Sequence, residues 1–478
     1  MHLPTFEFGL PKKILLITIL HGSIGSTAGW LNRAQGTLFL KIEAFFRASY
    51  GQVFSTDDEL YYHTLLSLYM NLNVLGTLAA VIINIYLFNH FSPQFFWLKF
   101  RNVLNVMGCF AAFISLRNND LILNCVANVI IGVAGYYGTI QSMYLPQIGL
   151  KQQETTIMLY SSCTMHLFAD VLLIAANDKL MGSYASWSYL YLMTGLISTI
   201  YLSVTWNMPE SGKYLYLIKN DAKEAAKSLK YYNGQQIDTV QIFQEYDEED
   251  EKTSSKKHLT FSQILKQQYY RKVLLIVAVL VLSSPLSVSL VMDSYGQLIV
   301  TQFTDDEAIT SYIALFARLM SLVISFFAPK YFKYFGIRRA IMGTFYFSIL
   351  GWVFFILADL LPHLFDIHNS LGIILVFFAE SVESIGTGLG KGNVLIILLN
   401  IICPESGKNI LSQIISPLII FSYGITAFVM MPLYDIIGTY LHVIKMTMLI
   451  IIVFTLNKLL PDSDEKLYNM KRDRYHEI

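Results

Sequence analysis

A chain of 478 residues that is 54% hydrophobic and only 14% charged, with a mean hydropathy of +0.49, is not an ordinary set of soluble domains. Its formal net charge of zero gives no overall attraction for nucleic acid. This is the composition of an integral membrane protein whose first partner is the lipid bilayer.

A hydrocarbon core of about 30 Å needs about 20 apolar residues per helix. Twelve such runs occur, near 14–30, 64–88, 101–116, 121–145, 156–176, 187–206, 273–300, 307–329, 340–360, 371–402, 411–435 and 441–457. Lys12 and Lys13 precede the first run and make it a start-transfer membrane helix; the alternative is a signal peptide cleaved after Gly29. An even number of spans puts both termini on one face. About 26 of the 34 basic residues lie in the tails and even-numbered connections, so that face is the cytosol.

Leu31–Tyr62 is then the long external loop, and it carries no Asn-x-Ser/Thr sequon. The long internal connection holds an amphipathic helix from Asp221 to Tyr232, with Ala222, Ala225, Ala226 and Leu229 opposite Lys223, Lys227 and Lys230. Asp247–Glu251, followed by Lys256 and Lys257, reads as a solvated, mobile linker. Cys109, Cys125, Cys163 and Cys403 lie in or at the ends of apolar runs without paired spacing, which suits small buried hydrophobes rather than a disulfide or metal site. Basic residues recur at matching places in each half: Lys99 and Arg101 after span 2, and Lys330, Lys333, Arg338 and Arg339 after span 8. The fold class is therefore an all-α membrane protein, twelve transmembrane helices in two six-helix bundles. Residues 1–206 form the first bundle, 207–272 a cytosolic linker with short helices, 273–457 the second bundle and 458–478 a cytosolic tail.

Pro209-Glu-Ser-Gly-Lys-Tyr-Leu215, followed by Ala225–Leu229 and Asn233-Gly234, resembles the sugar porter family of the major facilitator superfamily, whose equivalent reads Pro-Glu-Ser-Pro-Arg-Tyr-Leu. Gly29–Gln35, Ile130-Ile131-Gly132, Met143-Tyr144, Gly336–Arg339 and Leu460-Pro461-Asp462 resemble further family motifs in the same order. The resemblance implies a facilitative glucose-transporter-like carrier, moving a small polar solute, hexose-like as first guess, by alternating access. It also implies a cytosolic gate at Gln147, Glu154, Glu210, Arg338, Arg339 and Asn400. Departures run through that gate: Asn128, Gln147, Glu154, Lys333 and Asn400 stand where the family carries charges of its latch. Family sugar-binding amides are replaced as well: the span 5 Gln by Ser162, and the span 7 Gln-Gln-x-Ser-Gly and following Asn by Ser284-Pro285-Leu286-Ser287-Val288 and Leu290, and the family's Trp near Val394–Ile396 is missing.

A charge at mid-bilayer costs at least about 2.5 kcal/mol and normally faces the bundle interior with a partner. His166, Asp170, Arg318, Glu380 and Glu383 form the expected intramembrane network. His166 and Asp170 are either a proton relay or a hydrogen-bonded structural pair. Extrapolating a helix at 100° per residue sets Glu380 and Lys391 within about 20° of each other, with Glu383 and Thr387 adjoining. Gly386, Gly388, Gly390 and Gly392 along that stripe permit close packing or local unwinding. Asp293 and Lys391 are expected to pair, unless Asp293 lies near the outer surface and Lys391 snorkels. Candidate cavity residues are Ser23, Ser26, Thr27, Gln141, Ser162, Ser284, Ser287, Asp293, Lys391 and Asn393, although hydroxyls also bond within their own helices. No cofactor, metal site or enzymatic constellation is expected, and no sequence feature marks an oligomeric state. The other readings are a transport-deficient nutrient sensor, or a carrier for a charged organic solute.

Overall fold

The computed structural model describes residues 10–461 apart from 26–29, 54–58, 88–90, 93, 152, 165–166, 178, 255–265, 305, 366–368 and most of 392–435. Among the described residues the chain forms helices and no strand. Within lipid an isolated segment satisfies its backbone hydrogen bonds only as a helix.

The first half comprises α1 (Lys12–Gly25), α2 (Trp30–Val53), α3 (Glu59–Met70), α4 (Leu72–Leu87), α5 (Arg101–Asn118), α6 (Leu121–Tyr144), α7 (Glu154–Thr164), α8 (Leu167–Ala175) and α9 (Ser188–Thr205). Three linker helices follow: α10 (Gly212–Leu217), α11 (Ala222–Asn233) and α12 (Thr239–Ser254). The second half contains α13 (Gln268–Ser283), α14 (Val288–Thr301), α15 (Glu307–Ser325), α16 (Ala328–Phe335), α17 (Ile337–Phe365), α18 (Asn369–Gly388) and α19 (Tyr440–Leu459). Gln268–Leu286, Ile337–Leu361, Ser370–Gly388 and Tyr440–Leu459 are each long and apolar enough to cross a membrane. Two further spans are bent pairs, by 53° between α3 and α4 and by 56° between α15 and α16. The eleventh expected run, 411–435, lies outside the described residues apart from isolated positions.

The hydrophobic cores divide by half. One joins Val273, Ile276, Leu280, Val291, Phe345, Trp352, Leu398 and Leu449; the others draw on residues before the linker, such as Leu38, Phe46, Cys109, Ile131 and Leu190. The two halves meet where α2 packs on α14, α8 on α15 and α7 on α16.

Two expectations need correction. Most of Leu31–Tyr62 is not loop: α2 runs to Val53. Its buried face carries Leu38, Phe45, Phe46 and Tyr50, while Arg47 and Gly51 are exposed. A search for continuous apolar runs passes over such a helix because its charges, including Lys41, Glu43 and Arg47, dilute the signal. The acidic run Asp247–Glu251 likewise lies within α12. There the Tyr216 hydroxyl donates to Asp247 Oδ2 at 2.9 Å and the Tyr216 ring stacks on Phe243 at 4.2 Å. Lys256 and Lys257 lie outside the described residues.

Helix α11 matches its expectation and has clear ends. Asp221 caps it by accepting from the Glu224 amide at 3.0 Å, and Gly234, at φ 102°, closes it. The linker helices are docked on the first half. Gln94 Nε2 and the Tyr232 hydroxyl both donate to the Pro209 carbonyl, at 2.9 and 2.6 Å, and Asn233 Nδ2 donates to the Ile148 carbonyl at 3.1 Å. Lys13 reaches the Tyr231 carbonyl at 2.5 Å. The Pro209 motif is thereby held against the inner ends of spans 1, 3 and 4. Cys109 and Cys125 are free thiols, the former buried; the Cys163 side chain and Cys403 fall outside the described set.

Candidate functional site

Both spans of the second half that were expected to face the solute are discontinuous. The seventh stops at Ser283, makes one 3₁₀ turn over Ser284–Leu286 with Pro285 inside it, and restarts at Val288. Pro285 has no amide hydrogen to continue the helix. Ser287, in extended conformation, caps the restart by accepting from the Leu290 amide at 3.2 Å. The Leu286 carbonyl is taken up by the Trp352 indole N–H at 2.7 Å, from mid-α17. Trp352 was absent from the sequence reading. The available signal was a tryptophan at mid-depth, away from the interfacial belts where this residue collects.

The tenth span breaks after Gly388. Its glycines serve both purposes considered from sequence. A Cβ on Gly386 would lie 3.0 Å from the Thr344 carbonyl oxygen, and one on Gly388 would lie 2.6 Å from that of Ser321, so these two allow close packing on α17 and α15. Gly390 instead adopts φ 100°, a left-handed conformation that ends the helix. The chain is helical again at Val394 and Leu395, whose side chains are buried in the core of the half.

Four charges gather around these breaks. Arg318 Nη2 lies 3.9 Å from Glu380 Oε1, which also accepts from the Ser289 hydroxyl at 3.4 Å. Lys391 Nζ binds Glu383 Oε1 at 2.6 Å. Both carboxylates and Arg318 are almost wholly buried, and Lys391 is half-buried. Glu383 Oε2 and the Ser381 and Ser384 hydroxyls are buried and have no hydrogen-bond partner among the described residues. Extrapolating an unbroken helix set Glu380 and Lys391 on one face, with Glu383 adjoining. The turn at Gly390 redirects the lysine to Glu383, and Glu380 goes to Arg318. Lys391 was also expected to meet Asp293, whose side chain lies outside the described set.

Other expected cavity residues divide between those that bond locally and those not described. Ser23 donates to the Ile19 carbonyl at 2.6 Å and Ser284 to that of Leu280 at 3.4 Å, each within its own helix. Ser26, Thr27, His166 and Asn393 lie outside the described residues, as do the side chains of Gln141, Ser162 and Asp170.

At the inner end, Gln147 is half-buried in a 3₁₀ turn, Leu145–Ile148. Glu154 opens α7 and lies 3.9 Å from Lys213 of the Pro209 motif. Glu210 accepts from the Ser211 amide at 3.1 Å. Burial raises its pKa, against the opposing effects of the Ser92 hydroxyl, that amide, Lys99 and Lys219. Arg338 donates to the Asn457 carbonyl and side chain at 2.9 and 2.8 Å, Arg339 is exposed, and Asn400 is not described.

A second buried polar group, also missed from sequence, ties spans 1, 3 and 6 together. His21 meets the Tyr201 hydroxyl, Tyr201 bonds Arg101, and Asn105 donates to Ser198 Oγ at 2.7 Å. It lies on one side of the first half and shares no described contact with the four charges.

A family model described as "Sugar (and other) transporter" matches residues 20–472. The facilitated glucose transporter member 2 of solute carrier family 2 from Gallus gallus is 24% identical over 190 residues, 39% of this chain and 35% of that relative. Member 4 from Homo sapiens is 34% identical over 110 residues, 23% of this chain and 21% of the relative. The chain therefore aligns with about a third, or less, of these relatives' length. Among solved structures, the partially occluded inward-open form of the xylose transporter XylE from E. coli superposes with a TM-score of 0.68 at 14% identity, covering 95% of this chain and 99% of that one. The proton:xylose symporter XylE bound to 6-bromo-6-deoxy-D-glucose gives 0.73 at 15% identity, covering 94% and 95%. Likeness at that identity is likeness of fold, the all-α major facilitator architecture. With the family model covering nearly the whole sequence and the Pro209 motif at the inner end of span 6, this chain belongs to the sugar (and other) transporter family.

Proposed function

We propose that the protein carries a small polar solute, with a hexose-like sugar as the first candidate, across the membrane by alternating access, and that it is a carrier rather than an enzyme. The observation that carries this reading is the division of the core: each half packs on itself, so the halves can rock against each other without breaking either core. The solute would bind between them, near the broken spans 7 and 10. Ser26, Thr27, Gln141, Ser162, Asp293 and Asn393 remain its candidate contacts. The basic-residue distribution supports cytosolic termini, and the resemblance to glucose carriers supports residence in the plasma membrane.

A carrier of charged solutes would draw on Arg318, Asp293 and Lys391 for its counter-charges. Arg318 and Lys391 have carboxylate partners of their own, which weakens that reading. Purified protein in proteoliposomes should take up radiolabelled hexose saturably, with competition by unlabelled sugar. Hexose binding without flux would replace the carrier with a sensor, and flux of organic ions alone would replace the sugar.

A further inference from the structure

We infer that the Glu383–Lys391 ion pair is a conformational lock that forms only while span 10 is broken and that holds the break in place. The inference follows from geometry. Helix side chains that pair are three or four residues apart, about 6 Å of rise. Glu383 and Lys391 are eight apart, which on a continuous helix is about 12 Å of rise, with both side chains slanting toward the same end. Yet Nζ and Oε1 are 2.6 Å apart. The distance closes because the helix ends at Gly388 and Gly390 turns through φ 100°. Straightening the span would pull the pair apart and leave a carboxylate inside the half with no counter-charge at that distance.

Glu383 is well placed to penalise that change. It is 0% exposed, its Cβ lies against Gly351 of α17, and among the described residues Oε2 has no hydrogen-bond partner. Lys391 is therefore the near cation that balances it. On this inference the pair favours the broken form of span 10, the form the structure shows, over a continuous one. Lys391 and Glu383 are thus positioning residues for the break at Gly388–Gly390. Their consequence for flux rests on the carrier reading; the link between pair and break does not.

Hydrogen–deuterium exchange of peptides covering residues 385–395, in nanodiscs without solute, tests it. Glu383→Gln keeps shape and removes charge, and the double variant Glu383→Gln/Lys391→Met guards against misfolding of either single change. Both should slow exchange at the break at least about tenfold as amides there rejoin a helix, while Lys391→Arg should exchange like the unmodified protein. Exchange that is unchanged or faster in the charge-neutral variants, at native thermal stability, would overturn the lock. Absence of hexose flux in the unmodified protein would bear only on the carrier reading.

Discussion

Arg318 on α15 and Glu380 on α18 face each other across 3.9 Å with almost no exposure, each about eleven residues from the N-terminal end of its helix. Two charges of opposite sign thus lie at the same depth, about 16 Å into their helices. Removing one partner of such a pair leaves an uncompensated buried charge, at a cost of about 3–5 kcal/mol. Arg318→Met and Glu380→Gln should each lower stability on that scale in detergent unfolding. The double variant should lose less than the sum, whereas strict additivity would mean that the two do not act as a pair.

Trp352 holds the break in span 7 through the Leu286 carbonyl. Trp352→Phe keeps most of the apolar volume but leaves a buried acceptor unmet, at about 1–3 kcal/mol. Loss of stability well above that range would point to the missing ring volume instead.

Gly76 and Gly132 allow α4 and α6 to touch backbone to backbone: a Cβ on Gly132 would run into the Asn73 carbonyl, and one on Gly76 into that of Val129. Gly132→Ala should destabilise by about 1–3 kcal/mol through overpacking. Gly51, with nothing near its missing Cβ, serves as the control, and Gly51→Ala should leave unfolding nearly unchanged.

The raised pKa of Glu210 has a defined pH signature. The folded state holds this proton more tightly than the unfolded one, so stability contributed by the protonated group is complete below the ordinary value of 4.5 and falls as pH rises through the raised folded value. Glu210→Gln should therefore raise Tm at pH 7 and change it little at pH 4. An equal shift at both pH values would assign the effect to packing.

Lys179, in the outer connection between spans 5 and 6, sits over the Tyr312 ring of α15 at 5.1 Å and so links the two halves. If the halves rock, this contact must open. A Lys179→Cys/Tyr312→Cys pair joined by a cleavable bifunctional thiol cross-linker should block hexose uptake until the linker is cleaved; full uptake by the cross-linked protein would show that these ends need not separate.

Much of this molecule is legible from local sequence. The apolar runs report membrane spans because transfer of each side chain into lipid adds nearly independently along a window. Asp221, Gly234 and Pro285 mark where helices start and stop through steric and capping effects that involve only near neighbours. Helix α2 escaped because its signal lies on one face and not in a continuous run.

Which charges pair was decided by tertiary structure alone. Arg318, Glu380, Glu383 and Lys391 were all identifiable as buried, but their assignment depended on a change of chain direction at Gly390 and on the approach of α15 to α18 at Gly388. Glycine permits such turns and contacts without dictating them, since its missing side chain leaves several conformations open. The sequence therefore determined a membrane-spanning, two-part transporter-family chain with charges in its second half. Packing selected the pairs, because Coulomb attraction depends on separations that only the assembled helices define.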